Sequence, residues 1–299
     1  RAYLVGGCVR DGLLGRTPGD WDLAADALPE ETAACFVSCA RVIPTGVRHG
    51  TVTVLLDGVA MEITTFRVDG QYSDMRRPDS VAFTADIRED LARRDFTVNA
   101  MAYRPGEGVF DPFGGEADLR AGILRCVGEA DVRFREDALR ILRALRFRSQ
   151  LGFHLDAAAA RGVLENRRLL ERVSAERITH ELDKLLCGRY AAETLREYPE
   201  VFEVFIPELA SGDAGALERA GYVLGHTVPV REVRLAALLG GCEGVREILT
   251  RLRYDRAAIQ HVLALTENRE AEIPPREREI RRWLSRLGEE RLRLLLEFQ

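Results

Sequence analysis

Short apolar runs separated by polar, glycine-containing breaks fill the first third of the chain, and this pattern predicts strands alternating with short helices. AYLVGG is an apolar run closed by two glycines, VRDGLLG has helical spacing, and WDLAAD is a second short run entered through acidic residues. EETAACFVSCA has helical composition. In TVTVLLDGVAMEITTF two β-rich runs, Thr51 to Leu56 and Val59 to Phe66, flank Asp57-Gly58. That dipeptide favours a two-residue hairpin turn, because both positions accept positive φ. After DPFGG, Asp111 to Gly115, the texture changes. From about Asp118 onward the β-branched alternation disappears, and Leu, Ala, Arg and Glu recur at helical spacing. DAGALERAGYVLG, REVRLAALLGG and REREIRRWLSRLGEERLRLLLEFQ each predict amphipathic helix. The expected fold is therefore α+β, an α/β head followed by an all-helical remainder.

At 299 residues, with 46% hydrophobic and 30% charged, the chain can bury an ordinary core and form two or more domains. No run approaches the roughly 20 apolar residues of a membrane span. The start lacks a basic-then-apolar leader, so a soluble cytoplasmic protein is expected. The helical pattern still running at Gln299, and a strand beginning one residue after a non-methionine Arg1, raise the expectation of trimming at both ends. The cysteines (Cys8, Cys35, Cys39, Cys126, Cys187, Cys242) form no C-x-x-C pair, which points to reduced thiols rather than a zinc ribbon or disulfide framework. The histidines are equally scattered, without H-E-x-x-H spacing. A net charge of -5 argues against a uniformly basic nucleic-acid surface, but local arginine clusters still decide phosphate binding.

Asp20 and Asp22 in GDWDLA are the first candidates for chemistry. On a strand, a period of two places both carboxylates on one face, where a divalent cation would relieve their repulsion. Oxygen ligands suit Mg²⁺. A turn with two solvated aspartates fits the same letters. Upstream, GGCVRD places Gly6 and Gly7 at a strand end, where bare backbone can approach a phosphate, with Arg10 one turn on. Neither G-x-G-x-x-G nor a P-loop occurs. Glu62 in VAMEITTFR is a third strand carboxylate, equally readable as a solvent-facing glutamate. LARRDFTVNAMAY adds Arg93, Arg94, Asp95 and Asn99, or else a surface salt-bridge cluster on a helix.

FREDALRILRALRFRS sets Arg140, Arg143 and Arg146 at three-residue intervals after Glu136-Asp137. On one helix Asp137, Arg140 and Arg143 or Ala144 share a face, with Arg146 at its edge. Taken alone, Asp137 and Arg140 are an ordinary i,i+3 ion pair worth about 0.2–0.5 kcal/mol.

YLVGGCVRDGLLGR, GDWDLA, EITTFR, RRDFTVNAMAY, DPFGG, REDALRILRALRFRSQLGF and RVSAERITHELDKLL follow one another between Tyr3 and Leu186. In that order they resemble the bacterial class II tRNA nucleotidyltransferases. These are the CCA-adding enzymes, relatives of bacterial poly(A) polymerases in the polymerase-β-like superfamily. The resemblance implies a polymerase-β-like nucleotidyltransferase head over residues 1–118, a helical neck carrying a base-reading helix over 119–188, and a helical tRNA-binding body over 189–299. It implies that Asp20 and Asp22 hold two Mg²⁺ ions, catalysing transfer from CTP and ATP to a tRNA 3′ end. Gly7, Arg10 and Arg94 would grip the nucleotide's triphosphate and ribose side, and Asp95 its 2′-hydroxyl.

The implied reading of Asp137 and Arg140 has a chemical rationale. A carboxylate accepts hydrogen bonds and a guanidinium donates them. Cytosine and adenine pair an exocyclic amino donor with a ring-nitrogen acceptor, whereas uracil and guanine reverse that order. An Asp–Arg edge thus fits C and A, and a mismatched buried group costs roughly 1–3 kcal/mol. The resemblance assigns nucleotide binding to Arg143 and Arg146 as well. Arg172, Ser174, Glu176 and Arg177 would brace the base-reading helix, with Ser174 as an N-cap. The polar segment Phe66 to Phe83 resembles the loop that switches these enzymes from CTP to ATP.

No obligatory protein partner is evident. His226 is followed by Gly240-Gly241 where a His-Asp phosphohydrolase would carry an H-D pair, so that second activity is not expected. The alternatives are a poly(A) polymerase, a partial CC- or A-adding enzyme, and, more remotely, a noncatalytic RNA-binding module.

Overall fold

The computed structural model describes residues 1–70, 80–211 and 216–298. It divides into two compact units, residues 1–137 with 154–162, and residues 138–153 with 163–299. The chain passes from the first unit to the second after Asp137, returns at His154 and leaves again after Gly162, a two-unit division beside the three segments expected at 1–118, 119–188 and 189–299.

The first unit runs β1 (Ala2–Val5), α1 (Gly7–Leu13), β2 (Trp21–Ala25), α2 (Pro29–Phe36), β3 (Arg41–Gly46), β4 (Thr51–Leu56) and β5 (Val59–Thr65). Then come β6 (Arg67–Asp69), β7 (Val81–Phe83), α3 (Ile87–Ala92), β8 (Ala102–Arg104), β9 (Gly108–Phe110), α4 (Gly115–Ala121), β10 (Ile123–Leu124) and α5 (Ala130–Glu136). Strands β3-β4-β5-β2-β1-β8-β9 make one seven-stranded sheet. It is antiparallel except for β2 beside β5, where Asp22 stands opposite Glu62. The Asp57-Gly58 turn joins β4 to β5 with φ of 49° and 81°, the double positive φ its letters predict.

Each face of this sheet carries an apolar cluster. Successive strand residues point to opposite sides, and in β2 Ala24 joins a core with Tyr3, Val5, Phe66 and Leu91 while Ala25 joins Val52, Val54 and Ile63. Burying a side chain such as Phe66 or Leu91 is worth about 1.5–3 kcal/mol, so these clusters fix the strand ends that carry the polar residues.

Three features depart from the sequence expectation. The segment Phe66 to Phe83 is not simply a loop, since β6 and β7 pair antiparallel at its ends. Its interior, including Arg76, Arg77 and Pro78, lies outside the described residues. Strand character also persists beyond residue 118. β10 pairs in parallel with β11 (His154–Leu155), and two-residue strands are too short to alternate visibly.

The third departure is a helix break. α5 stops at Glu136, and Asp137 follows in extended backbone with φ −142° and ψ 104°. The next helix, α6 (Leu139–Leu151), begins after an Ala138 N-cap. The stretch expected as one helix is thus two.

The second unit takes up α6 and, after β11 and α7 (Ala157–Asn166), α8 (Ala175–Leu186), α9 (Ala191–Glu197), α10 (Pro199–Phe205), α11 (Glu208–Ser211) and α12 (Ala216–His226). It closes with α13 (Arg231–Leu239), α14 (Val245–Arg251), α15 (Arg256–Glu267), α16 (Glu277–Leu287) and α17 (Glu289–Phe298). Ile141, Leu142 and Leu145 of α6 and Leu182, Leu185 and Leu186 of α8 are fully buried. Ser149 Oγ donates to Leu185 O at 2.5 Å, and a Cβ on Gly188 would come within 2.0 Å of that hydroxyl, so α6 and the end of α8 meet where only glycine fits. The C-terminal helical pattern breaks at Gly288, whose φ of 80° and ψ of 166° separate α16 from α17. No described helix is long and apolar enough to cross a membrane.

Candidate active site

β1 delivers the chain to Gly6, which turns it into α1 with φ 74° and ψ −134°. A Cβ there would lie 2.9 Å from Arg94 Nη1 and 3.8 Å from Asp22 Oδ2. Side chains from two distant stretches therefore converge on this turn, and the backbone demand falls on Gly6. At Gly7 a Cβ would meet only Arg10 Nη2, at an ordinary 3.6 Å. Arg10 is buried in α1, donating from Nη1 to Asn99 Oδ1 at 2.7 Å and from Nε to Asp11 Oδ1 at 2.9 Å. Asn99 passes the connection on through Nδ2 to Asp95 Oδ1 at 3.3 Å, and Asp95 also accepts from the Phe96 N–H at 2.8 Å. Arg10, Asn99 and Asp95 form one buried polar chain.

Asp22 sits on β2, but the strand begins at Trp21, so Asp20 occupies the bend just before it. The strand-period argument therefore reaches only one of the two aspartates. Their carboxylates still interact: burial pushes the Asp22 carboxyl above its usual range, Arg94 opposes that shift, and Asp20 adds to it. Among the described residues, none donates a hydrogen bond to the Asp22 side chain or forms an ion pair with it. Asp20 is exposed, as is Glu62 at the register position beside Asp22.

Among the described residues, no three His, Cys, Asp or Glu side chains group closely enough to cage a metal. The donor set fits Mg²⁺ all the same, since that ion keeps several waters and takes one or two carboxylates together with substrate phosphates. A half-buried carboxylate beside a second one in solvent is such a set.

The RRDFT segment is not a surface cluster. Asp90 is fully buried, and its Oδ1 accepts from Arg93 Nε and Nη2 at 3.0 and 2.8 Å. Its Oδ2 accepts from Arg94 Nη2 at 3.2 Å. Burial alone would raise the Asp90 carboxyl, but Arg93 and Arg94 outweigh it and hold the group below the usual range. Asp90 escaped the sequence reading; its spacing of three and four from Arg93 and Arg94 at the end of α3 was the available clue.

The structure places the remaining candidates differently from expectation. Asp137 lies in the extended break, not on the face of a helix with Arg140, so the i,i+3 argument does not apply to this pair. It closes the first unit, while Arg140, Arg143 and Arg146 belong to the second. Arg140 and Arg146 are buried. Arg146 Nε lies 3.2 Å from Glu181 Oε2, Arg143 Nη1 lies 3.9 Å from Glu181 Oε1, and the guanidinium of Arg146 stacks 4.3 Å from the centre of the Phe147 ring. Glu181, buried on α8, is a second residue the sequence reading missed. It stands within RVSAERITHELDKLL as one more helical glutamate. Ser174 occupies the N-cap of α8, but its side chain makes no cap hydrogen bond.

The sequence matches two families, one described as "Poly A polymerase head domain" over residues 2–125 and one as "Probable RNA and SrmB- binding site of polymerase A" over residues 152–212. A crystal structure of the Bacillus stearothermophilus CCA-adding enzyme in complex with CTP superposes with a TM-score of 0.84 at 37% identity, covering 99% of this chain and 72% of that one. The chain belongs to the tRNA nucleotidyltransferase and poly(A) polymerase family. Within this family it is 48% identical over 247 residues to the CCA-adding enzyme of Geobacillus thermodenitrificans and 47% identical over 247 residues to that of Geobacillus stearothermophilus. Both alignments take in 82% of this chain but 60% of the relative, so the chain spans about three fifths of their length. The whole Gly6, Asp22, Asp90 and Arg94 cluster falls inside the head-domain match, whereas Asp137 to Arg146 lie between the two matched segments.

Proposed function

We propose that this protein adds C-C-A to the 3′ end of tRNA without a nucleic-acid template, taking CTP and ATP and releasing pyrophosphate. The observation that carries the reading is the open Asp22 carboxylate beside Asp20, facing Arg94 across the Gly6 turn, in a chain of this family. Asp20 and Asp22 are the residues that would hold Mg²⁺, which when bound supplies charge stabilisation for an in-line displacement at the α-phosphorus. Arg94 and Arg10, with the bare backbone of Gly6 and Gly7, receive the triphosphate. Asp95, oriented by Asn99, accepts from the ribose 2′-hydroxyl.

Asp137 and Arg140 read the base edge. The support is chemical: one accepts, the other donates, and C and A share the complementary order. The argument no longer draws on a shared helix face and rests on the complementary chemistry of the two groups. Arg143 and Arg146 bind the nucleotide beyond the base, with Glu181 holding their orientation.

Incubation with tRNA ending at the discriminator base, CTP, ATP and Mg²⁺ should yield a product three nucleotides longer in C-C-A order. Failure to extend any RNA would sink the reading. The polymerase-type description of the head domain favours one second reading, a poly(A) polymerase, for which the product would be an adenylate homopolymer formed without CTP. Extension by C-C alone or A alone would identify a partial enzyme.

A further inference from the structure

Asp90 takes no part in holding nucleotide or metal in the proposed reaction, yet it is the most completely buried carboxylate around the site, with no exposed surface. Two guanidiniums and the backbone N–H of Arg67, at 3.3 Å from Oδ1, replace its water. The two arginines it binds face different ways. Arg93 reaches back toward Asp69, 3.9 Å from its Nη1, whereas Arg94 turns its Nη1 to the Gly6 turn.

Arg94 meets Asp90 through Nη2 alone. Its Nη1 lies outside that contact and stands 2.9 Å from the point a Gly6 Cβ would occupy. Asp22 Oδ2 lies 3.8 Å from that same point. Arg94 nevertheless makes its ion pair with Asp90 and not with Asp22. A guanidinium beside two carboxylates is attracted to both, and the one that grips it decides where its remaining N–H groups point.

We propose that Asp90 is the positioning residue for Arg94: it holds one edge of the guanidinium, aims the other at the incoming triphosphate, and keeps Arg94 from closing onto Asp22. The inference rests on the nucleotidyl-transfer reading of Asp22 and Arg94. Released from Asp90, Arg94 has beside it the Asp22 carboxylate, which already attracts it, and their pairing would occupy the phosphate-binding donors and a metal-binding oxygen together. Asp90 therefore separates two groups whose direct contact would disable both.

The test compares Asp90→Asn with Arg93→Met in the full chain. Each removes one member of the same buried triad, so a merely structural role predicts similar effects. Positioning predicts a split. Asp90→Asn should raise KM for CTP by at least about tenfold with a smaller change in kcat, and should weaken Mn²⁺ binding to the nucleotide-free protein, followed by electron paramagnetic resonance, by at least about tenfold. Arg93→Met should lower the unfolding midpoint comparably but leave both binding readouts within about twofold of the parent. Equal effects of the two variants on CTP and Mn²⁺, or no effect of Asp90→Asn on either, would overturn the proposal. Should Asp90→Asn not fold, the Asp90→Asn/Arg93→Met double variant removes a cation with the anion, and is read against Arg93→Met with the same outcomes. A parent protein that neither binds CTP nor extends tRNA would instead defeat the underlying functional reading.

Discussion

Gly6 and Asp22 show how single positions set stability against chemistry. Gly6→Ala places a Cβ 2.9 Å from Arg94 Nη1 on a residue with φ 74°. Positive-φ strain alone costs about 1–3 kcal/mol, and Arg94 must also shift. Both the unfolding midpoint and CTP affinity should therefore fall in that variant, while Gly7→Ala should leave the unfolding midpoint nearly unchanged. Asp22→Asn separates the two quantities. Nucleotide incorporation should drop by about a hundredfold or more, the scale of losing several kcal/mol of charge stabilisation at the transition state. Stability in EDTA at neutral pH should rise instead. A carboxyl raised on folding contributes stability that is lost as pH rises through its folded value, so removing it removes a penalty present at pH 7. Calorimetry beside a single-turnover assay checks both directions.

At the scale of elements, buried polar links fix how helices meet. Glu181 on α8 stands beside Arg143 and Arg146 on α6 and is itself buried. Replacing it with Gln removes a buried negative charge from beside two arginines at a helix–helix contact. Destabilisation of about 3–5 kcal/mol is expected in chemical denaturation, with restoration by Glu181→Asp only in part. A second link ties α8 to the turn after α14, where the Tyr254 hydroxyl donates to Asp183 Oδ1 at 2.7 Å. Burial raises the Asp183 carboxyl and the tyrosine hydrogen bond partly counters it. Tyr254→Phe should cost about 1–2 kcal/mol. It should also move Asp183 further up, so the stability lost with rising pH extends over a wider window above the ordinary carboxylate range. Urea titrations between about pH 4 and pH 7 follow that slope.

For the whole molecule, the chain enters the second unit at Ala138, returns to the first at His154 and leaves it again after Gly162. Asp137 and Arg140, close in sequence, thus belong to different compact units. Asp137→Ala and Arg140→Ala should each relax selection of CTP and ATP over UTP and GTP by about tenfold or more, the value of a mismatched buried hydrogen-bonding group. Misincorporation measured on a tRNA acceptor, beside an unfolding curve for each variant, is the check. Unchanged nucleotide preference would remove base reading from this pair.

The sequence by itself determined what local chemistry encodes. Asp57-Gly58 signalled a tight hairpin, the alternation of β4 specified a face, and the order of motifs from Tyr3 to Leu186 specified the family. It also offered Asp20, Asp22, Arg10 and Arg94 as candidates, which the resemblance to the family singled out from letters that a turn or a surface cluster fits as well. What it could not determine was anything set by contacts far apart in the chain. Gly6 rather than Gly7 bears the steric demand because Arg94, some ninety positions away, packs against it. Asp90 and Glu181 look like ordinary helical acids until burial removes their water and leaves arginines as their replacement. Asp137 stands outside the expected helix, in extended backbone between α5 and α6, and helix propensity, worth only tenths of a kcal/mol per residue, is too weak to exclude such a break from the letters alone. Periodicity records which residues seek burial; only the folded chain decides which of them meet.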